Sequence, residues 1–236
     1  MIVTIHQPEH MPWMGFFNKV SQADLLVILD TVQFRKNYFQ NRNKILSANG
    51  PMWLTVPVIM KGYMEKVIKD IEVNNAYNWR EKHYKSIYFN YKNHPCFNDY
   101  AQRLQHIYGQ TWEKIVALNE YVIRFFLEVL GISTPMIQAS ELNVSGSSSD
   151  LLLDICMKVK ADVYLAGQSA VDYLDGSIFT DNGISVVLHD FNHPQYQQKG
   201  CGGSFVSHMS TLDLIMNMGS KSIDIIREGD VPLKLM

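Results

Sequence analysis

Cysteine is scarce in this chain: Cys96, Cys156 and Cys201 are odd in number, far apart and free of any C-x-x-C spacing. That excludes a disulfide framework and a thiolate zinc site, and it fits a reducing compartment. An excess of one charge sign is missing too, since 21 Lys and Arg face 23 Asp and Glu for a net charge of -2. Bulk attraction to DNA or to anionic lipid is therefore not implied, although a local basic patch stays open. No apolar run approaches the roughly 20 residues of a membrane-spanning helix, and the first residues lack the basic-then-apolar order of a signal peptide. No internal repeat or low-complexity tract breaks the sequence. A cytoplasmic globular protein without a membrane span is the expectation. What is present is apolar substance: 47% of the 236 residues are hydrophobic and 19% charged, enough for a single domain with a sizeable core.

Short apolar runs at Ile2 to Ile5 and Leu25 to Leu29 have the character of strands buried on both faces. Between them, Trp13 to Ser21 carries Phe16, Phe17 and Val20 at helical spacing, so the opening has the size of one βαβ unit. The rhythm returns late. Ser148 to Lys160 is helical in pattern, and Val163 to Ala166 and Ile184 to Leu188 follow as strands. The middle differs: Met52 to Pro57 and Lys66 to Val73 suggest a hairpin through Lys61 and Gly62, and mainly helical patterns follow, with Gly131 as a C-cap. The expected fold is α/β, a parallel Rossmann-like sheet built from both ends of the chain (about 1–74 and 146–236) with a mainly helical insertion at about 75–145. The first strand and the strand at Val163 to Ala166 should share that sheet. The stretch "NVSGSSSD", Asn143 to Asp150, reads as a linker.

In open parallel sheets ligands bind outside the carboxyl ends of the strands. His6, Gln7, His10 and Trp13 follow the first strand; Asp30, Gln33, Arg35 and Lys36 the second; Gly167, Gln168 and Ser169 the third; His189, Asp190 and His193 the fourth. All four groups should face one rim. His6 suits a phosphate donor or a general acid or base. "QFRKNYFQNRNKI", Gln33 to Ile45, interleaves Arg35, Lys36, Arg42 and Lys44 with aromatic rings and with Asn41, a pattern for phosphate, carboxylate or single-stranded nucleic acid. "GCGGSF" places Cys201 in a Gly-rich turn, but without a base partner it is not expected to act as a nucleophile. "STLD", Ser210 to Asp213, has the spacing of a capping box. No residue is assigned to a metal.

The stretch "IHQPEHMPWMGFFNKVSQADLLVILDTVQFRKNYFQNRNKI", with "WLTVPV", "ADVYLAG" and "SFVSHMSTLDLIMNMG", resembles the WbqC-like protein family essentially end to end. The matching positions include His6, Gln7, Trp13, Gly15, Asp30, Gln33, Asn41 and Arg42, then Gly167, His193 and Tyr196. The resemblance implies a place in bacterial O-antigen or surface-polysaccharide synthesis. It further implies transfer of a glycyl or similar acyl group to an amino sugar. Taken with the residues above, the favoured reading is an enzyme that acylates or aminoacylates the amino group of a nucleotide-linked sugar. His6 would serve as base or phosphate donor, Arg42 and Lys36 would hold diphosphate or carboxylate, and Asp30 would orient an amine or a metal-bound phosphate. The acyl donor would be an adenylate made from ATP, a thioester on an acyl carrier protein or an aminoacyl-tRNA. The opening also resembles the H-x-G-H turn of nucleotidylyltransferases and related amide ligases, with His6-x-x-x-His10 in its place. Two alternatives therefore stand beside the transferase: an ATP-using nucleotidylyltransferase or amide ligase, and a non-catalytic sugar-nucleotide-binding module.

Overall fold

The structure is a computed structural model that describes residues 1–200 and 202–236. In chain order its elements are β1 (Ile2–His6), α1 (Met14–Ser21), β2 (Leu25–Ile28), β3 (Arg42–Ser47), β4 (Gly50–Thr55), α2 (Trp79–Tyr91), α3 (Phe97–Gly109), α4 (Ile115–Leu130) and β5 (Met136–Gln138). Then come α5 (Ser148–Lys158), β6 (Val163–Gly167), α6 (Gly176–Asp181), β7 (Ser185–His189), α7 (Thr211–Met218), α8 (Ser222–Glu228) and β8 (Lys234–Leu235). The main sheet runs β5-β2-β1-β6-β7-β8, parallel except for β8. β1 and β6 are hydrogen-bonded neighbours in register Ile2↔Val163 and Val3↔Tyr164, so the two ends of the chain do build one parallel sheet.

Strand composition explains the layering. Successive side chains of β2 point to opposite faces: Leu26 and Ile28 join the core beneath α1 and α4, while Val27 joins the core with Val3, Ile5 and the α5 residues Leu151, Leu152 and Ile155. Both faces of the central strands are covered, which is why these strands read as continuous apolar runs rather than alternating ones. α4 ends where Gly131 takes a left-handed conformation (φ 66) and its N–H bonds back to Glu128.

Three sequence readings are corrected by the structure. Met52 to Thr55 does form a strand, but it pairs with Arg42–Ser47 through a tight Ala48–Asn49 turn, not with Lys66 to Val73. Gly50 supplies the positive φ (96) and the Ser47 hydroxyl bonds to the Gly50 carbonyl at 2.7 Å, so local geometry closes this hairpin before the longer loop can compete. Lys66 to Val73 is instead a short 3-10 turn at Ile68–Asp70 flanked by isolated bridges. Second, the sheet includes Met136–Gln138 at one edge and Lys234–Leu235 at the other, segments too short to show a pattern. Third, the linker-like stretch at 143–150 already contains the first turn of α5.

Candidate functional site

After β1 the chain crosses to β2 on one side of the sheet, and after β6 it crosses to β7 on the other. The loops leaving β1 and β6 therefore diverge, and the crevice between them is the topological switch point. A cavity of about 370 Å³ opens there. His6, Gln7 and Glu9 line it from the end of β1, Lys19 from α1, and Arg35, Tyr38 and Gln40 from the β2–β3 connection. Ser148 at the start of α5, Gly167 at the end of β6, and Ser169 and Tyr173 beyond it add to the wall.

Three titratable side chains form its floor. α1 is only eight residues long yet buries Met14, Phe16, Phe17, Asn18, Lys19 and Val20, because the sheet, α8 and the β1–α1 turn enclose it on nearly every side. Lys19 is consequently 5% exposed. The β1–α1 turn is stiffened by Pro8 and Pro12 and bends at Met11, a left-handed residue with φ 49. The turn brings Glu9 back so that its Oε1 lies 4.0 Å from His6 Nε2. The His6 ring stands edge-on to Phe16 at 4.9 Å, and its Nδ1–H donates to the Gln7 carbonyl at 2.9 Å, which leaves Nε2 as the free acceptor. Gln40 locks the neighbouring wall: its Nε2 donates to Gln7 Oε1 at 2.7 Å and its Oε1 accepts from the Arg35 amide at 2.8 Å.

Burial sets the charges. Glu9 is pushed up to about 7 by desolvation, with the Lys19 charge opposing. Lys19 is lowered to about 8 by desolvation, with Glu9 opposing. His6 is lowered to about 3, chiefly by desolvation and then by Lys19, against the Gln7 carbonyl. Near neutrality the floor thus holds a neutral imidazole, a carboxyl group at its midpoint and an ammonium.

These shifts carry a stability expectation. Burial lowers His6 and His10 to about 3 and His83 and His189 to about 4, so between these values and 6.5 each would bind a proton in the unfolded chain but not in the fold. Their contribution is present above pH 6.5 and lost as pH falls. Glu9 works the other way, since a raised carboxyl pKa favours the fold as pH drops from about 7 toward 4.5. Four imidazoles outweigh one carboxyl group, and Tm is expected to fall between pH 6.5 and 4. Scanning calorimetry across that range checks it; a flat or rising Tm contradicts it.

Of the residues singled out from sequence, His6, Gln7, Arg35, Gly167 and Ser169 meet in the cavity wall. Gln168 adjoins Gly167 but stays exposed, and Lys36 is exposed on the loop after β2. Asp30 is fully buried, accepting from the Ser140 amide at 3.0 Å and the Ser140 hydroxyl at 2.6 Å, and so clamps the loop after β2 to the loop after β5. Gln33 donates to the Met64 carbonyl at 2.6 Å, and Asn41 donates to the Val56 carbonyl at 2.9 Å. Arg42 lies over the Trp53 ring, 4.3 Å from its centroid. Trp13 stacks on His193 and His208 at 6.1 and 5.3 Å, away from the cavity. A Cβ on Gly15 would stand 2.4 Å from the Trp13 ring, which gives that glycine a packing reason. Tyr196 donates to Asp213 at 2.6 Å. His10 is buried, its Nδ1 3.2 Å from Asn119 Oδ1. Cys201 lies outside the described residues.

Asp213 does not close the capping box. Ser210 is the N-cap and its hydroxyl accepts from the Leu212 amide, but the Ser210 amide donates to the Lys44 carbonyl, so the carboxylate turns inward. Glu9, Lys19, Ser148 and Tyr173 were missed. For Lys19 a signal existed, a lone lysine inside "GFFNKV" on a helix too apolar to have a wet face. Glu9 was masked by its neighbouring histidines.

Fold and site together define a Rossmann-like α/β protein with a ligand-sized, polar-floored cavity at the switch point of its sheet. The chain belongs to the WbqC-like protein family, which matches it over residues 7–225. It is 30% identical over 227 residues to the uncharacterized protein Rv1507c of Mycobacterium tuberculosis, covering 95% of this chain and 97% of the relative. No solved structure matches it. No helix among the described residues is long and apolar enough to cross a membrane.

Proposed function

We propose that the protein is a transferase that places an acyl or aminoacyl group, glycyl among them, on the amino group of a nucleotide-linked amino sugar during O-antigen or surface-polysaccharide synthesis. The observation that carries this reading is Glu9, a carboxyl group raised to about 7 at the floor of a cavity able to hold a sugar. An amine attacks an activated carbonyl only as it sheds a proton, and a base with a pKa near the working pH is the efficient acceptor. The C–N bond forms as an amine N–H proton passes to the Glu9 carboxylate, and the bond from the acyl carbon to its carrier breaks, the carrier leaving with the electron pair. His6, neutral and with Nε2 free, accepts a hydrogen bond from the incoming amine and orients it. Lys19 keeps Glu9 partly ionised at neutral pH.

The ATP-using alternative gains nothing from the opening turn, because His10 is enclosed beside Asn119 rather than turned to the cavity. The test is direct. Purified protein is incubated with UDP- and GDP-linked amino sugars and with their hydroxyl counterparts, each with glycyl and acetyl thioesters or with amino acid and ATP, and products are read by mass spectrometry. An N-acylated product from the amino sugar alone is expected. Equal inertness of amino and hydroxyl sugars with every donor rejects the reading.

A further inference from the structure

From the cavity mouth a run of side chains leads outward over the β3–β4 hairpin. The Arg35 guanidinium lies 4.7 Å from the Tyr38 ring centroid, Tyr38 meets Phe39 at 5.5 Å, and Phe39 meets Trp53 at 6.0 Å. Arg42 and Lys44 then lie over Trp53 at 4.3 and 5.7 Å. Arg35 and Tyr38 line the cavity, so the run starts inside the site and ends on the surface. Tyr38, in the β2–β3 connection, is 40% exposed and Trp53, on the hairpin, 43%, so both rings present surface to a ligand.

Charge is segregated along the same path. Between Asp30 and Glu65 the chain contains Arg35, Lys36, Arg42, Lys44 and Lys61 and not one Asp or Glu, although its net charge is -2. Among the described residues, no carboxylate lies within 4.0 Å of Arg35, Lys36, Arg42 or Lys44. Cations without carboxylate partners keep their charge available to an anionic ligand. Rings offer a face to a flat base, and guanidinium forks match phosphate oxygens.

We propose that this ladder holds the nucleoside diphosphate half of the substrate, with the base against the exposed ring system ending at Trp53, the two phosphates among Arg35, Lys36 and Arg42, and the sugar inside the cavity. The assignment rests on the transferase reading for its sugar, and it adds where the nucleotide lies and what holds it. Arg42 is positioned for this by its hydrogen bond to the Asn37 carbonyl and by the Trp53 ring beneath it.

Calorimetric titration with free UDP and GDP, which carry no sugar, tests the ladder independently of any reaction. Wild type is expected to bind at least one of them, with affinity that falls as salt is raised. Trp53→Ala and Arg42→Gln should each weaken binding about tenfold or more. Trp53→Phe, which keeps a ring, should stay within a few-fold of wild type. Unchanged Tm certifies that the variants are folded. No binding of either nucleotide by wild type overturns the proposal, as do folded Trp53→Ala and Arg42→Gln variants that bind like wild type. Ladder-dependent binding of CoA or of a single-stranded RNA hexamer in preference to UDP and GDP overturns it as well. Lost nucleotide affinity in the variants, together with no N-acylation in any mixture, leaves the ladder standing and rejects only the reaction.

Discussion

Replacing Glu9 by glutamine is expected to lower turnover of the amino sugar about 10²–10⁴-fold, the usual contribution of a positioned general base. Affinity should change little, because the amide keeps the shape and hydrogen-bonding reach of the carboxyl group. The companion variant Lys19→Met gives a sharper readout. Lys19 draws the pKa of Glu9 down against the effect of burial. Without it the carboxyl group must rise further, and the ascending limb of the rate profile should move to a pH above 7 with its maximum largely retained. Steady-state kinetics from pH 5.5 to 9 separates these outcomes. A Glu9→Gln variant as fast as wild type removes the base from the mechanism, and an unmoved limb in Lys19→Met removes the coupling.

Asp213→Ala should cost about 3–5 kcal/mol of unfolding free energy, the range for losing one member of a buried charged network. The Asp213 carboxylate is fully buried and accepts from Tyr91 Oη at 2.9 Å, Tyr196 Oη at 2.6 Å and Gln198 Nε2 at 2.7 Å. Tyr91 also receives the Leu46 amide at 2.9 Å, so the network ties α7 to α2 and to the β3–β4 hairpin. Alanine would strand those donors away from water. Asp213→Asn, which retains an acceptor oxygen but adds two donors facing other donors, should fall in between. Urea unfolding measures both, and a loss below 1 kcal/mol in the alanine variant would show that the network relaxes or admits water.

Much of the sheet was legible in the sequence because its central strands are buried on both faces and leave solid apolar runs, at Ile2 to Ile5 and Val163 to Ala166 above all. The edge strands were not, since two or three residues such as Lys234–Leu235 carry no periodicity. The β3 strand was hidden inside a basic, amide-rich stretch: of Arg42, Asn43 and Lys44 only the fully enclosed Asn43 shows what burial requires, its amide donating to the Met11 carbonyl at 2.7 Å. For the site, the rule that ligands lie at strand carboxyl ends reached His6, Gln7, Arg35, Gly167 and Ser169, which need only the strand positions. Lys19 sits a helix away from its strand, and Gln40 comes into place through a loop whose path is fixed by its side chain, which donates to Gln7 and accepts from the Arg35 amide. Such positions follow from tertiary contacts that no local pattern encodes.

β1 is a central strand of the sheet whose two neighbours lie at very different distances along the chain, and this order has a kinetic consequence. One of its edges can pair with β2 as soon as Leu25–Ile28 is made. The other waits for β6: the bond from the Thr4 hydroxyl to the Leu165 carbonyl joins residues 161 apart. Closing so long a loop is slow. During elongation on the ribosome the nascent sheet therefore carries an open, apolar edge at β1 until β6 has been made, a template for pairing with other chains. Yield of soluble protein should accordingly depend on growth temperature and chaperone supply more steeply than the stability of the finished fold would suggest.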